Sequence, residues 1–248
     1  MRSGRIAVVI SGWTGHTSRP LAALCKSIAQ HEPGADYDLV LCANGLDFQL
    51  PAELTDTFAE VFIRENTGFN LGAWDHAWRN LPRHDWFLFM QDDCLVVRNR
   101  WLRNFLSRFE SVPHCGLVGE HLNRDWDHSW DDLTDPLAGF SYCAAANVYR
   151  QTLSRWSVLE GDTGLHVTTV VQFTSRDILE QVDGYPIGRD HPEAIAAEIA
   201  FSRKIAALGC ELVQLGRHRH SRIAHPQWPS THPIAKIKQS ISKRLSNS

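Results

Sequence analysis

No CxxC pair occurs among the six cysteines of this 248-residue chain (Cys25, Cys42, Cys94, Cys115, Cys143 and Cys210). That spacing argues against a zinc ribbon or a disulfide framework. Most of these cysteines sit beside aliphatic residues, where a reduced thiol packs as a small hydrophobe, so a reducing, cytoplasmic compartment is expected. Long apolar runs are missing too: Ile6 to Ile10 is far too short to span a bilayer. The basic start, Met1 to Arg5, leads into a run broken at Gly12, Thr14 and His16, which does not read as a signal peptide. Nor is there an excess of positive charge. Lys plus Arg number 25 against 28 Asp plus Glu, a formal net charge of −3, so nothing global points to nucleic acid as a partner. There is no internal repeat and no low-complexity segment. Hydrophobic residues at 43% and charged residues at 21% are ordinary for a globular protein and exclude a wholly disordered chain.

What the chain does have is tryptophan and histidine, nine and thirteen respectively. Trp offers flat apolar surface with one donor, suited to stacking on sugars or bases, and equally to a core. Short β-branched or apolar runs predict strands over Arg5–Ser11, Tyr37–Cys42, Phe58–Ile63, Trp86–Met90 and Glu211–Leu215. Cys115–Val118, Ser141–Tyr149 and Val167–Phe173 are further strand candidates. Pro20 opens a helix with Leu21, Leu24, Cys25 and Ile28 on one face. Leu71–Leu81 carries Trp74, Ala77, Trp78 and Leu81 at helical spacing, and Arg176–Val182 reads as a short helix. Ala194–Leu208 is a helix introduced by Asp190 and Pro192 and stopped by Gly209. Alternating strands and helices predict an α/β fold: a mostly parallel central sheet with helices on both faces. Such sheets bind ligands beyond the carboxyl ends of their strands. One domain is expected over 1–233, with a tail over 234–248 that holds Lys236, Lys238, Lys243 and Arg244. Ile234, Ile237, Ile241 and Leu245 give that tail a helical apolar spacing. It reads either as a helix resting on an anionic membrane surface or as a solvated terminus.

Four segments carry candidate chemistry. The apolar strand Trp86–Met90 runs through Gln91 into Asp92 and Asp93, adjacent carboxylates that repel unless a cation sits between them. Mg²⁺ or Mn²⁺ with substrate phosphates would suit that end; a solvated acidic turn is the plainer alternative. Arg64–Trp74 places Gly68 and Gly72 about a helix start, with Asn70 as the expected N-cap and free N–H groups for phosphate or hydroxyls. Glu198 falls on the apolar arc of its helix, so its carboxylate is expected to reach a cleft, a partner or a buried Arg. In a cleft, burial would raise its proton affinity and fit it as a general base. Finally Arg217–His225 packs three Arg and three His into nine residues, either a pyrophosphate clamp with a metal-ligating imidazole or a basic surface loop.

In order, these motifs resemble those of nucleotide-sugar glycosyltransferases of the GT-A fold, in particular family-2-like inverting enzymes. Asn66–Gly72 is similar to their Asn/Gly segment, Phe87–Asp93 to their Asp-x-Asp strand end, Ser175–Pro186 to their Gly-Gly-Phe segment, and Ala197–Gly209 to their Glu-Asp helix. The resemblance spans about residues 5 to 225. It implies a nucleotide-sugar half over about 1–119 and an acceptor half over about 120–233. It assigns Glu198 as catalytic base and Asp93, with His220 or His225, as ligands to Mn²⁺ or Mg²⁺. Ser11, Gly12, Asn44, Asn66, Gly68, Asn70, Gly72, Gln91 and Asp92 would border the donor, a nucleotide-diphosphate sugar, and Trp126 and Trp130 would stack on the acceptor. The acceptor implied is a saccharide or lipid-linked hydroxyl in polysaccharide or lipopolysaccharide synthesis, at the inner membrane face. Gln91 stands where the first acid is usual, Ala43 where a base-reading Asp is common, and Ala197-Glu198 replaces Glu-Asp. Two other readings stay open: a non-catalytic GT-A-like domain that binds nucleotide, sugar or protein, and a nucleotidyltransferase.

Overall fold

The structure, a computed structural model, describes residues 4–15 and 18–226; the basic tail and part of the loop after the first strand lie outside the described residues. The elements, in chain order, are β1 (Ile6–Trp13), α1 (Arg19–Gln30), β2 (Asp38–Asn44), β3 (Glu60–Arg64), α2 (Phe69–Asn80), β4 (Trp86–Gln91), β5 (Leu95–Val96), α3 (Trp101–Ser111) and β6 (Cys115–Gly119). Then follow β7 (Leu122–Asn123), α4 (Trp130–Thr134), α5 (Cys143–Arg155), β8 (His166–Val167), β9 (Val171–Ser175), α6 (Arg176–Gln181), α7 (His191–Ala207), β10 (Glu211–Gln214) and β11 (Ile223–Ala224).

The main sheet has seven strands in the order β10-β6-β9-β4-β1-β2-β3. β1 pairs parallel with β2 and β4, β2 with β3, and β6 with β10. β9 alone reverses, antiparallel to both β4 and β6. The sheet is thus mostly parallel with helices on both faces. Central strands buried on both faces read as continuous apolar runs rather than alternating ones, which is why β1 and β4 were legible. Side chains nevertheless alternate between two cores. Val8, Ile10, Leu88 and Met90 join α1 and α3 on one face. Ala7, Val9, Phe87 and Phe89 meet α2, α6 and α7 on the other. There Trp74 of α2 stacks on Phe89 at 5.4 Å, both fully buried, and each such side chain contributes roughly 1.5–3 kcal/mol by leaving water.

Two expectations need correction, and one element is new. Ser141–Tyr149 is not a strand: Cys143–Arg155 is a helix, driven by three successive alanines, the strongest helix formers. Val167–Phe173 is not one strand but two, β8 and β9, separated at Thr168–Val170. α3 was not anticipated, although Trp101, Leu102 and Phe105 bury one helical stripe. All six thiols are free. No helix among the described residues is long and apolar enough to cross a membrane.

Candidate active site

β1, β2 and β4 end side by side, and beyond their carboxyl ends lies a cavity of about 290 Å³. Its walls include Ser11 and Gly12 from β1, Asn44 from β2, Asn66 and Asn70 around the start of α2, and Gln91 and Asp92 from the end of β4. Seven of the expected donor residues therefore share one pocket. Trp13, the last residue of β1, and Phe69, the first of α2, complete it; both fall in segments the sequence singles out, though neither is among the expected donor residues.

The two glycines do not line the cavity; they shape it. Gly68 takes a left-handed conformation (φ +76°) ahead of α2. At Gly72 a Cβ would lie 2.0 Å from the Thr67 carbonyl oxygen, so the helix can pass that close only without a side chain. The helix starts after Gly68, not after Asn70. Asn70 instead donates from Nδ2 to the Thr169 carbonyl at 2.8 Å, and Gln91 Nε2 donates to the same oxygen at 2.9 Å. Asn44 is engaged as well: Nδ2 donates to the Phe69 carbonyl at 2.9 Å and Oδ1 accepts from Arg64 Nη1 at 2.6 Å. These amides brace the pocket wall as well as facing it.

The strand-end acids part company. Asp92 lines the cavity, while Asp93 Oδ1 sits 2.9 Å from His225 Nε2. The two-residue strands β5 and β11 pair antiparallel, Ile223 opposite Val96 and Ala224 opposite Leu95, and carry His225 to Asp93. His220 is not brought to the same point; its buried ring lies 6.3 Å from that of His225 and 5.9 Å from that of His121. Burial pushes the His220 pKa down to about 3. Its Nε2 is buried without a hydrogen-bond partner. This segment is held by Glu120, a fully buried residue the sequence reading missed. Its carboxylate accepts backbone N–H bonds from Ser221, Arg222 and Ile223 at 3.0, 2.8 and 2.7 Å. Burial raises its pKa to about 7 against the pull of those donors.

Among the described residues no group of three or more His, Cys, Asp or Glu is arranged to hold a metal ion. Asp93 and His225 supply one carboxylate oxygen and one imidazole nitrogen. That pair suits a divalent cation that completes its shell from diphosphate and water, and the nitrogen suits Mn²⁺ better than Mg²⁺.

Glu198 lies on α7, which Asp190 caps by accepting the Glu193 N–H at 2.9 Å. It pairs with no arginine. Oε2 accepts from the Thr169 N–H at 2.6 Å and from the Thr169 hydroxyl, and Oε1 meets His166 Nε2 at 3.0 Å. Its proton affinity is not raised, as a cleft position predicted. Burial pushes the carboxyl up, but the hydrogen bonds from His166 and Thr169 outweigh it and leave the pKa below the ordinary value. Thr169 therefore joins two halves of the site: its N–H and hydroxyl hold Glu198, and its carbonyl holds Asn70 and Gln91 at the pocket wall.

Trp126 and Trp130 are 8% and 2% exposed, so neither presents a face to a ligand. Trp126 stacks under Tyr142 at 4.9 Å, and Trp130 donates to the Glu160 carbonyl at 3.0 Å.

With this geometry in view, the chain is similar to the mannosyltransferase PcManGT of Pyrobaculum calidifontis, a structure in complex with GDP-mannose and Mn²⁺. The TM-score is 0.55 at 16% identity over 85% of this chain. The fold is GT-A-like. The chain spans 54% of the length of that protein. No protein-family profile matches it, and no curated protein does.

Proposed function

We propose that the chain is an inverting glycosyltransferase, moving a sugar from a nucleotide-diphosphate sugar to a hydroxyl acceptor. The observation that carries this reading is the Thr169 junction, which couples the amide-bearing pocket at the carboxyl ends of β1, β2 and β4 to an ionised, partly accessible carboxylate. Glu198 keeps 16% side-chain exposure, so a hydroxyl can reach it. In the reaction, the acceptor oxygen forms a bond to the anomeric carbon as the bond from that carbon to the diphosphate oxygen breaks. The acceptor proton passes to Glu198. One displacement inverts the anomeric centre. Ser11, Asn66 and Asp92 orient the donor, and Trp13 offers a ring to the nucleobase.

Asp93 and His225 would hold Mn²⁺ or Mg²⁺. When bound, the cation neutralises charge on the departing nucleoside diphosphate. The resemblance in motif order adds a saccharide or lipid-linked acceptor, in polysaccharide or lipopolysaccharide synthesis at the inner membrane face. The test is a panel of nucleotide sugars, guanosine diphosphate mannose first, with nucleoside diphosphate release measured with Mn²⁺ and with chelator. Metal-dependent release from one donor is expected. A folded protein that binds a nucleotide but releases nothing from any donor or acceptor would be a non-catalytic binding domain instead.

A further inference from the structure

Glu198 is part-buried, and among the described residues it packs against a histidine, not an arginine. His166 is 1% exposed. Its Nδ1 lies 2.8 Å from the Gly164 carbonyl oxygen, which can only accept, so Nδ1 carries a proton. Its Nε2 faces Glu198 Oε1 at 3.0 Å. Two lone pairs at that distance repel, so a proton lies between them. Oε2 of Glu198 already accepts from both the N–H and the hydroxyl of Thr169, a pattern that suits a carboxylate better than a carboxylic acid. The proton therefore belongs to the imidazole. Asn123 Nδ2 also stands 3.3 Å from Nε2; an imidazolium there requires that amide turned over, so that its oxygen accepts from the ring.

The arrangement is built, not incidental. Ser202, one turn after Glu198 on α7, accepts the Val167 N–H at 3.1 Å. Glu198 and Ser202 thus fasten β8 to the same face of α7. The Trp126 ring meets His166 at 5.9 Å and 69°. The other titratable groups facing the pair do not compete. His121, between β6 and β7, acts on His166 and Glu198, but burial pushes its pKa down to about 4 and leaves it neutral. Asp125 and Arg219 act on His121 in opposite senses. Tyr149 of α5 faces Glu198 with its phenol pKa raised by burial, so it is neutral too.

We propose that His166 is a positioning residue for the base: its imidazolium donates to Glu198 and keeps that buried carboxylate ionised and aimed at the acceptor. The proposal rests on the glycosyltransferase reading only for its kinetic consequence. A neutral ring would leave burial to raise the Glu198 proton affinity, and the base would then be protonated at the pH where it is needed.

The variant is His166→Gln, which places one N–H donor near Nε2 without charge. The acidic limb of the pH–rate profile should move up by about one unit or more, a tenfold loss on that limb, with donor affinity unchanged. A drop that is uniform at every pH, with the limb in place, would overturn the proposal. Two measurements stand apart from sugar transfer. In ¹³C spectra the Glu198 carboxyl midpoint should rise in His166→Gln, and no change contradicts the proposal. In the parent protein, which needs no variant to fold, ¹⁵N spectra of His166 should show two ring N–H groups while Glu198 is ionised; one N–H group overturns it. If the spectra show the shared proton and no donor reacts, the glycosyltransferase reading fails and this one stands.

Discussion

Gly72→Ala is the substitution whose effect the geometry defines most closely. The new Cβ would sit 2.0 Å from the Thr67 carbonyl oxygen and 3.0 Å from Arg64 Nη1. Even the tightest tolerated contact needs the carbonyl or the helix to retreat by about 1 Å. That carbonyl accepts from Arg64 Nη2 at 2.9 Å, and Nη1 of the same guanidinium donates to Asn44 at 2.6 Å. The displacement therefore reaches the pocket wall through one arginine. Forced movement of packed backbone costs about 1–3 kcal/mol. For a chain of this size each kcal/mol lowers Tm by roughly 2–4 °C, so differential scanning calorimetry should show a loss of roughly 2–12 °C, and nucleotide affinity should fall with it. Gly209→Ala is the control. Its added Cβ meets nothing within 4 Å, leaving only the left-handed backbone (φ +77°), a strain of about 1 kcal/mol. The reasoning is refuted if Gly72→Ala melts within a degree of the parent and binds nucleotide as well.

Other perturbations test separate links. Glu120→Ala removes the acceptor for three backbone N–H groups. It should destabilise by about 3 kcal/mol or more, since each buried backbone N–H left unsatisfied costs about 1–3 kcal/mol, and weaken any Mn²⁺ dependence by releasing the segment that carries His225. Because burial lifts the Glu120 pKa from 4.5 to about 7, its folded form holds the proton more tightly than the unfolded chain. That contribution to stability is full below pH 4.5 and is lost as pH rises through 7; Glu120→Gln should flatten this slope in melting curves taken from pH 4.5 to 7.5. Glu198→Gln should lower turnover at least 10²-fold while leaving donor affinity within twofold, measured by steady-state kinetics and calorimetry on the same preparation.

The sheet was legible because its central strands are buried on both faces. β1, β2, β3 and β4 stand within two residues of where their apolar runs place them. The reversed strand β9 was not, because five residues alternating Val171 and Phe173 with Gln172 and Thr174 carry no sign of their direction. α5 was misread because Val148 and Tyr149 suggested a strand while the preceding alanines set a helix. Most of the residues that line the pocket were legible because strand ends and Asn/Gly turns mark the carboxyl edge of such a sheet. The residues that organise the site were missed for one reason. Glu120 meets its partners about a hundred residues away, Thr169 meets Glu198 across 29, and His166 lies in a segment with no motif. Only the folded topology brings them together. The His/Arg run at 217–225 stands out in the sequence, but its spacing says nothing of which histidine lies beside Asp93.

The central claim is that the pocket at the ends of β1, β2 and β4 holds a nucleoside diphosphate through a cation at Asp93 and His225. Titration calorimetry with a panel of nucleoside diphosphates, in Mn²⁺ and again in chelator, tests it directly on the parent and on Asp93→Ala. Tight binding of one nucleotide is expected in Mn²⁺, at least tenfold weaker in chelator, and equally weak in Asp93→Ala, with the variant still melting as a folded protein. Binding that ignores both the chelator and the substitution, or no nucleotide bound by a folded protein, would contradict it.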